Sequence, residues 1–564
     1  MRRVAGAAAL IAVLTVASRL AGFTRTMVFA WAVGATDLGD IYLAANTVPN
    51  IIFEIVAGGA LASLVVPLLA GAVERGDRQA VSDTTSALLT WTLALLVAAA
   101  VVVAVAAGPV MRALAPASSP EELAVGVRML RVFAPQLPLY GVGIVLTGVL
   151  QAHHRFAWPV LAPLLSSVTV VTAYVTFALV QGRGTAVAGL GRTGELVLSV
   201  GTTLGVAVLS LCLVVPLRGL ALRIRPSLRF PAPARRAVGG LALAGAVTVA
   251  AQQVALVVVL RLALAGAPGT VVLVNLAQTI FLLPWAVLAV PVATAAYPVL
   301  AAAGANGEAT RYRDTLAGAV RGVVLLCFLG VAALAALAWP GAAALAAVMP
   351  AAGAPDVGAL AAAIAGFAPG LLGYGLFAVL SRALYARGDT ALAAGATALG
   401  WAAVALAAVA LAAGLPTGER AVALAGANAV GMSVLGAALL VVTARRAGPG
   451  ALAGLGRTAL AGLAGGLTAT LAGLAVSLGL AVSLGLTLPF GLAARPGHGT
   501  PPGHGTPAVG DALLTGMLSG VAVVAVFLSV AYAVDRRDLA PMLAGVRARL
   551  RRRQPTREEA RERA

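Results

Sequence analysis

Ser18-Arg19-Leu20-Ala21-Gly22-Phe23-Thr24-Arg25 puts two arginines inside what reads as the first membrane-spanning segment. The apolar run before it, Val4 to Ala17, is about 14 residues long, and a hydrocarbon core needs roughly 20. The span must therefore continue through Phe23 to Val33 and carry Arg19 and Arg25 with it. At about 1.5 Å per residue, Arg19 lies roughly 22 Å from Val4, about two-thirds of the way across. An arginine at that depth costs on the order of 2.5–3.5 kcal/mol unless it faces water or an anion. Arg25 can reach the outer headgroups by snorkelling; for Arg19 that path is longer. Gly22, between the two charges, is where a helix can break and re-aim them. The stretch points to negative charge held within the protein.

The composition agrees. The chain has 564 residues, 60% hydrophobic and only 10% charged, where a soluble protein carries about 25% charged residues. This is an all-α polytopic membrane protein. The net charge of +19 does not call for nucleic acid, because the arginines sit in loops and at the C-terminal end. Cys212 and Cys327 each stand alone in apolar runs and imply no disulfide framework. Met1-Arg2-Arg3 before an apolar run mimics a signal peptide, but no small-residue cleavage site precedes a polar domain, so it reads as an uncleaved span.

Hydropathy and breaks give about fourteen spans. Six fall near 4–33, 41–72, 85–107, 125–151, 157–180 and 195–217, and six more near 237–264, 270–300, 315–338, 358–385, 390–413 and 421–443. A last pair lies near 458–485 and 511–534. The expected division is an N-terminal lobe at 1–217, an arginine-rich cytoplasmic linker at 218–236 and a C-terminal lobe at 237–444. A final helix pair occupies 445–534, with a low-complexity outer loop at 486–510, and 535–564 form a basic tail. Placing both termini in the cytoplasm puts most arginines in inner loops and leaves Asp37, Glu121, Glu122 and Asp356 outside, as bacterial topology requires.

An internal repeat supports two lobes. Gly148 to Phe156 ends the fourth span, and Arg382 to Thr390 ends the tenth after an offset of 234 residues. A similar offset takes Pro49 onto Pro284. An even number of spans between the copies makes the repeat parallel, with the binding cleft expected between the halves. Pro49, Pro135, Pro138, Pro163, Pro284, Pro291 and Pro369 fall within spans; each accounts for an ordinary kink, and together they suggest a bent, moving scaffold.

Further charged residues add candidates. Glu54 lies about 13 residues into the second span, too deep for the interface; an ion pair with Arg19 or Arg25, or a protonatable coupling site, would explain it. Asp40 opens that span and can serve as a helix cap. Arg128 and Arg131 share a face three residues apart, positioned for snorkelling, for pairing with Glu121 or for substrate contact. His153-His154 have no ligand companions, and the repeated Pro-Gly-His-Gly-Thr-Pro of 496–507 reads as linker, so no metal site is assigned. No nucleotide-binding loop or catalytic motif is present, which excludes ATP hydrolysis within the chain as a driving force.

Ser18 to Arg25, then Gly34-Ala35, Asp40, Pro49-Asn50 and Gly59-Ala60-Leu61 through Pro67 resemble the opening of the lipid II flippase family (MurJ/MviN). Arg155-Phe156-Ala157-Trp158-Pro159 through Pro163, Pro284 through Pro298, and Arg382 through Thr390 extend the resemblance over about spans one to twelve. It implies the multidrug/oligosaccharidyl-lipid/polysaccharide exporter fold: two six-helix lobes in a pseudo-twofold V, plus two helices forming a lipid-side groove. It also implies flipping of the undecaprenyl-pyrophosphate-linked peptidoglycan precursor. The family's cavity arginines fall on Arg19 and Arg25, its acidic residue opening the second span on Asp40, and its Pro-Asn pair on Pro49-Asn50. Asp389-Thr390 match only the motif around the sodium site of some members. Other positions depart from the family. Its second-span arginine is replaced near Phe53 and Glu54, its acidic residues by Thr26 and Gly58, and its eighth-span arginine by the neighbourhood of Gln278 and Thr279.

The expected mechanism is alternating access in a bacterial cytoplasmic membrane. Arg19, Arg25, Asp40, Asn50 and Glu54 serve the anionic lipid-linked substrate, with Arg128, Arg131, Gln278 and Asp389 as weaker candidates. Arginine suits a phosphate because its fork binds bidentately. No cofactor is expected; the membrane potential, Na+ or H+ are candidate sources of coupling, and membrane lipids and cell-wall or division proteins are candidate partners. The rival readings are an ion-coupled exporter of another lipid-linked glycan or amphiphile, an intramembrane glycosyltransferase, and a non-transporting cell-wall scaffold. The glycosyltransferase would want large acidic outer loops, which this chain lacks.

Overall fold

In the computed structural model, residues 2–55, 61–220, 222–228, 232–483 and 509–536 are described, and their regular elements are all helical. The chain opens with α1 (Arg2–Ala32), α2 (Asp37–Phe53), α3 (Leu61–Glu74), α4 (Arg78–Val105) and α5 (Ala107–Leu114). Then come α6 (Pro120–Phe133), α7 (Gln136–Ala152), α8 (Ala157–Val180), α9 (Arg192–Leu211) and α10 (Val214–Arg218). The later elements begin with α11 (Ala232–Leu264), α12 (Thr270–Pro284), α13 (Val290–Ala305), α14 (Ala309–Val348) and α15 (Val357–Phe367). They end with α16 (Gly370–Ala386), α17 (Thr390–Gly414), α18 (Arg420–Ala447), α19 (Leu455–Ser483) and α20 (Val509–Val534).

Among the described residues, 12 helical segments are long and apolar enough to cross a membrane. The protein is therefore multi-pass, but the count of fourteen is not reproduced. The two missing spans are the first and second. The first exists as helix α1, which carries Arg19 and Arg25. The second is divided into α2 and α3, of 17 and 14 residues, on either side of residues outside the described set. The expected break at Gly22 is absent, because α1 runs through it. The repeated histidine linker of 496–507 and the basic tail beyond residue 536 also lie outside the described residues.

Contacts divide the chain into two units. One comprises 1–280, 345–366 and 394–431; the other comprises 281–344, 367–393 and 432–564. In the first, Leu69, Val81, Leu146, Val149 and Leu150 join α3, α4 and α7 in an apolar core, while α8 packs against both α1 and α9. In the second, Leu325 and Ala332 of α14 meet Ala461 and Ala469 of α19 and Val523 and Phe527 of α20. There α16 and α18 approach so closely at Gly373 that a Cβ would collide with the Met432 carbonyl oxygen.

The weak sequence repeat has a clear local counterpart. Helices α6 and α7 meet at Phe133-Ala134-Pro135, and α15 and α16 meet at Phe367-Ala368-Pro369, each proline forming the N-cap of the second helix. A proline fits there because the first N–H groups of a helix have no intrahelical acceptor. Helices α7 and α16 then close in the same way. The Arg155 N–H donates to Leu150 O at 2.8 Å and the Asp389 N–H to Leu384 O at 3.0 Å. These turns pivot on His154 at φ 57° and Gly388 at φ 81°, a left-handed C-terminal motif that favours glycine. A second pair of turns repeats around Gly76 and Gly307, where Asp77 N–H reaches Ala72 O and Glu308 N–H reaches Ala303 O. Pro49 and Pro284 are each followed by a π turn, at residues 54–55 and at Trp285–Ala289.

Candidate functional site

A half-open polar cavity of about 430 Å3 lies among the helices of the first unit. Arg25, Thr26 and Phe29 of α1 line one wall, and Tyr42, Asn46, Thr47 and Asn50 of α2 another. Tyr140 of α7, Ser166 and Tyr174 of α8, Thr202 of α9, and Asn275 and Thr279 of α12 complete it. Tyr42, Asn46 and Asn50 recur every four residues, so they share one face of α2. That polar stripe was readable in the sequence, where of its three members only Asn50 was singled out.

The wall is held by rings and hydroxyls. Phe29 stacks on Tyr42 at 5.3 Å and lies against Tyr174 at 5.3 Å, while Phe133 meets Tyr42 edge-on at 5.7 Å. Thr202 Oγ1 donates to Leu198 O at 2.7 Å, which commits its one proton. The 2.6 Å contact between Tyr42 and Thr202 is therefore a donation by Tyr42, and the 2.9 Å contact between the tyrosines a donation by Tyr174. The three hydroxyls form a chain with one direction. Sequence reasoning missed it, since its members come from three helices.

The two opening arginines separate. Arg25 lines the cavity; Arg19 is exposed and does not. Six residues on an unbroken helix turn through about 600°, which leaves the two side chains roughly 120° apart. Glu54 is exposed and makes no ion pair with Arg19, Arg25 or any other described residue. The expected pairing is absent.

Asp40 caps a helix, though not its own. Thr36 caps α2, accepting from Gly39 N–H at 3.1 Å. The buried Asp40 carboxylate, 5% exposed, instead accepts from Gly269 N–H at 2.8 Å and Val272 N–H at 3.0 Å. It thereby satisfies the N-terminus of α12 across some 230 residues of sequence.

The weaker candidates lie outside this cavity. Arg128 pairs bidentately with Glu195 at 2.7–3.1 Å rather than with Glu121, joining α6 to α9. Arg131 Nε donates to Ala104 O at 3.3 Å. Gln278 is half-buried on α12 beside the lining residue Thr279. In the second unit Asp389 lies 3.5 Å from Arg387 and 3.7 Å from Arg446. Among the described residues, no group of three or more His, Cys, Asp or Glu side chains is placed to hold a metal ion.

Membrane-length apolar helices around a polar cavity, with a single lining cation among the described residues, define the class: a multi-pass helical membrane protein with an internal polar site. Solved structures share that fold. One is a lipid II flippase MurJ in an inward closed conformation, with TM-score 0.67 and 16% identity over 92% of this chain and 99% of that one. Another is an inward-facing multidrug resistance MATE transporter of the MOP superfamily, with TM-score 0.60 and 16% identity over 76% and 94% of the two chains. The chain belongs to the lipid II flippase MurJ family, whose model matches residues 29–490. It is 28% identical over 389 residues to the lipid II flippase MurJ of Burkholderia cenocepacia, covering 66% of this chain and 72% of that protein. It is also 28% identical over 226 residues to a probable lipid II flippase MurJ of Synechocystis, covering 38% of this chain and 40% of that one.

Proposed function

We propose that this chain moves lipid II, the undecaprenyl-pyrophosphate-linked disaccharide-peptide, from the inner to the outer leaflet of the bacterial cytoplasmic membrane. Family membership supports the substrate class, and the observation that carries the reading to a site is Arg25 opening into the polar cavity. The guanidinium holds a phosphate group of the substrate bidentately while the prenyl tail stays in lipid. Alternating access exposes the cavity to each side in turn. The inside-negative potential favours outward movement of the anion by roughly 2.3 kcal/mol per charge per 100 mV. Both termini are assigned to the cytoplasm by the arginine distribution.

The test is lipid II flipping in reconstituted vesicles, with complementation of a strain depleted of its own flippase. Arg25→Gln is expected to abolish flipping and Arg19→Gln to leave most of it. Full activity in the Arg25 variant would remove the site assignment. A second reading, export of a different lipid-linked glycan, is favoured by Arg19 standing outside the cavity. Failure to complement, together with transport of another glycolipid, would select it.

A further inference from the structure

The cavity wall has a donor–acceptor polarity that the charge of Arg25 conceals. Eight hydroxyls line it, and six have already committed their protons inside the protein. Thr26, Thr47 and Thr279 each donate to the carbonyl one turn back on their own helix, at 3.3, 2.7 and 2.8 Å. The chain from Tyr174 through Tyr42 to Thr202 ends on the Leu198 carbonyl and leaves Tyr174 with lone pairs alone. The amides are mixed, each carrying two N–H donors as well as an acceptor oxygen. Asn50 Nδ2 donates to Asn46 O at 2.9 Å, and Asn46 Oδ1 is buried without a hydrogen-bond partner. Away from Arg25 the wall thus offers the oxygens of Thr26, Thr47, Thr279 and Tyr174 as acceptors, beside the N–H and O–H donors of Asn46, Asn275, Tyr140 and Ser166.

A buried acceptor is satisfied only by an O–H or N–H, and an unmet one weakens binding. Resting on the flippase reading, we infer that this wall selects the glycan-peptide part of the substrate. Sugar hydroxyls, acetamido N–H groups and peptide amides supply the missing donors, while Arg25 takes one phosphate. A bare polyprenyl pyrophosphate has phosphate oxygens and no donor-rich head, so it engages Arg25 and leaves the rest unpaired. The cavity distinguishes the loaded carrier lipid from the empty one.

The test is binding of lipid II and of bare undecaprenyl pyrophosphate to the full chain in nanodiscs, by native mass spectrometry or thermophoresis. The wild-type chain is expected to prefer lipid II by at least about tenfold. Thr47→Val with Thr279→Val removes two acceptors at nearly constant shape. It should narrow that preference about tenfold by weakening lipid II alone. Arg25→Gln should weaken both lipids alike and preserve the ratio. Tyr174→Phe, which keeps its ring against Phe29, serves as the second variant if the threonine pair does not fold. Equal wild-type affinity for the two lipids overturns the selectivity while leaving the flippase reading intact, as does an unchanged ratio in a folded acceptor variant. Binding of neither lipid by the wild-type chain refutes the flippase reading, and the wall assignment with it.

Discussion

Replacing Asp40 tests the contact that joins α2 to α12. Its two oxygens each accept one backbone N–H, from Gly269 at 2.8 Å and Val272 at 3.0 Å, in a buried setting. A buried N–H stripped of its acceptor costs about 1–3 kcal/mol. Asp40→Ala orphans both groups, giving roughly 2–6 kcal/mol, while Asp40→Asn keeps one acceptor oxygen and forfeits about 1–3 kcal/mol. Loss of the negative charge at a helix N-terminus adds about 0.3–1 kcal/mol to each. Amide hydrogen exchange on protein in detergent reads this locally, each 1.4 kcal/mol being about a tenfold loss of protection. With about 1.3–4 kcal/mol lost in the Asn variant, the start of α12 should exchange about 10–700-fold faster there and faster still in the Ala variant, with the α19–α20 pair unchanged. Equal protection in wild type and Ala variant would refute the capping argument. So would an Asn variant as labile as the Ala one.

Other contacts give sharper yes-or-no outcomes. Arg128→Ala leaves Glu195, whose side chain is 11% exposed, without its partner. It should lower stability by roughly 1–2 kcal/mol after allowance for the half-exposed arginine, and adding Glu195→Gln should recover part of the loss in thermal unfolding. His154 occupies a left-handed turn where the second copy has Gly388. His154→Gly should therefore be neutral or stabilising by up to about 1 kcal/mol, and Gly388→Ala destabilising by about 1 kcal/mol, both read by melting temperature. Gly373→Ala forces a methyl into the Met432 carbonyl and should prevent recovery of monodisperse protein, whereas Gly395→Ala, in open space, should not.

The reach of sequence reasoning follows the range of the interaction involved. The span positions from the third onward and the turns of the repeat were legible because apolar runs and turn residues act locally. The 234-residue offset noticed at Arg155 and Asp389 corresponds to two identical hydrogen-bonded turns. Arg19 and Arg25 were grouped because both fall on the path of the first span, yet helix periodicity already separates them once Gly22 proves unbroken. The partners of Asp40 and Arg128 were beyond reach for another reason. A charge announces that it needs compensation but not from where, and both found it on helices distant in sequence. The tyrosine–threonine chain gave no signal at all, since tyrosine in a membrane span is ordinarily read as an interfacial anchor.

The π turns after Pro49 and Pro284 have a consequence for movement. Each holds one surplus residue, a local dislocation in an otherwise regular spiral. If such a dislocation migrates one turn along its helix, the side chains it passes swivel by about 100° while the hydrogen-bond ladder is broken only at the migrating step. A lining face and a lipid-facing face can then exchange without the rod bending or melting, and the helix acts as a camshaft rather than a hinge.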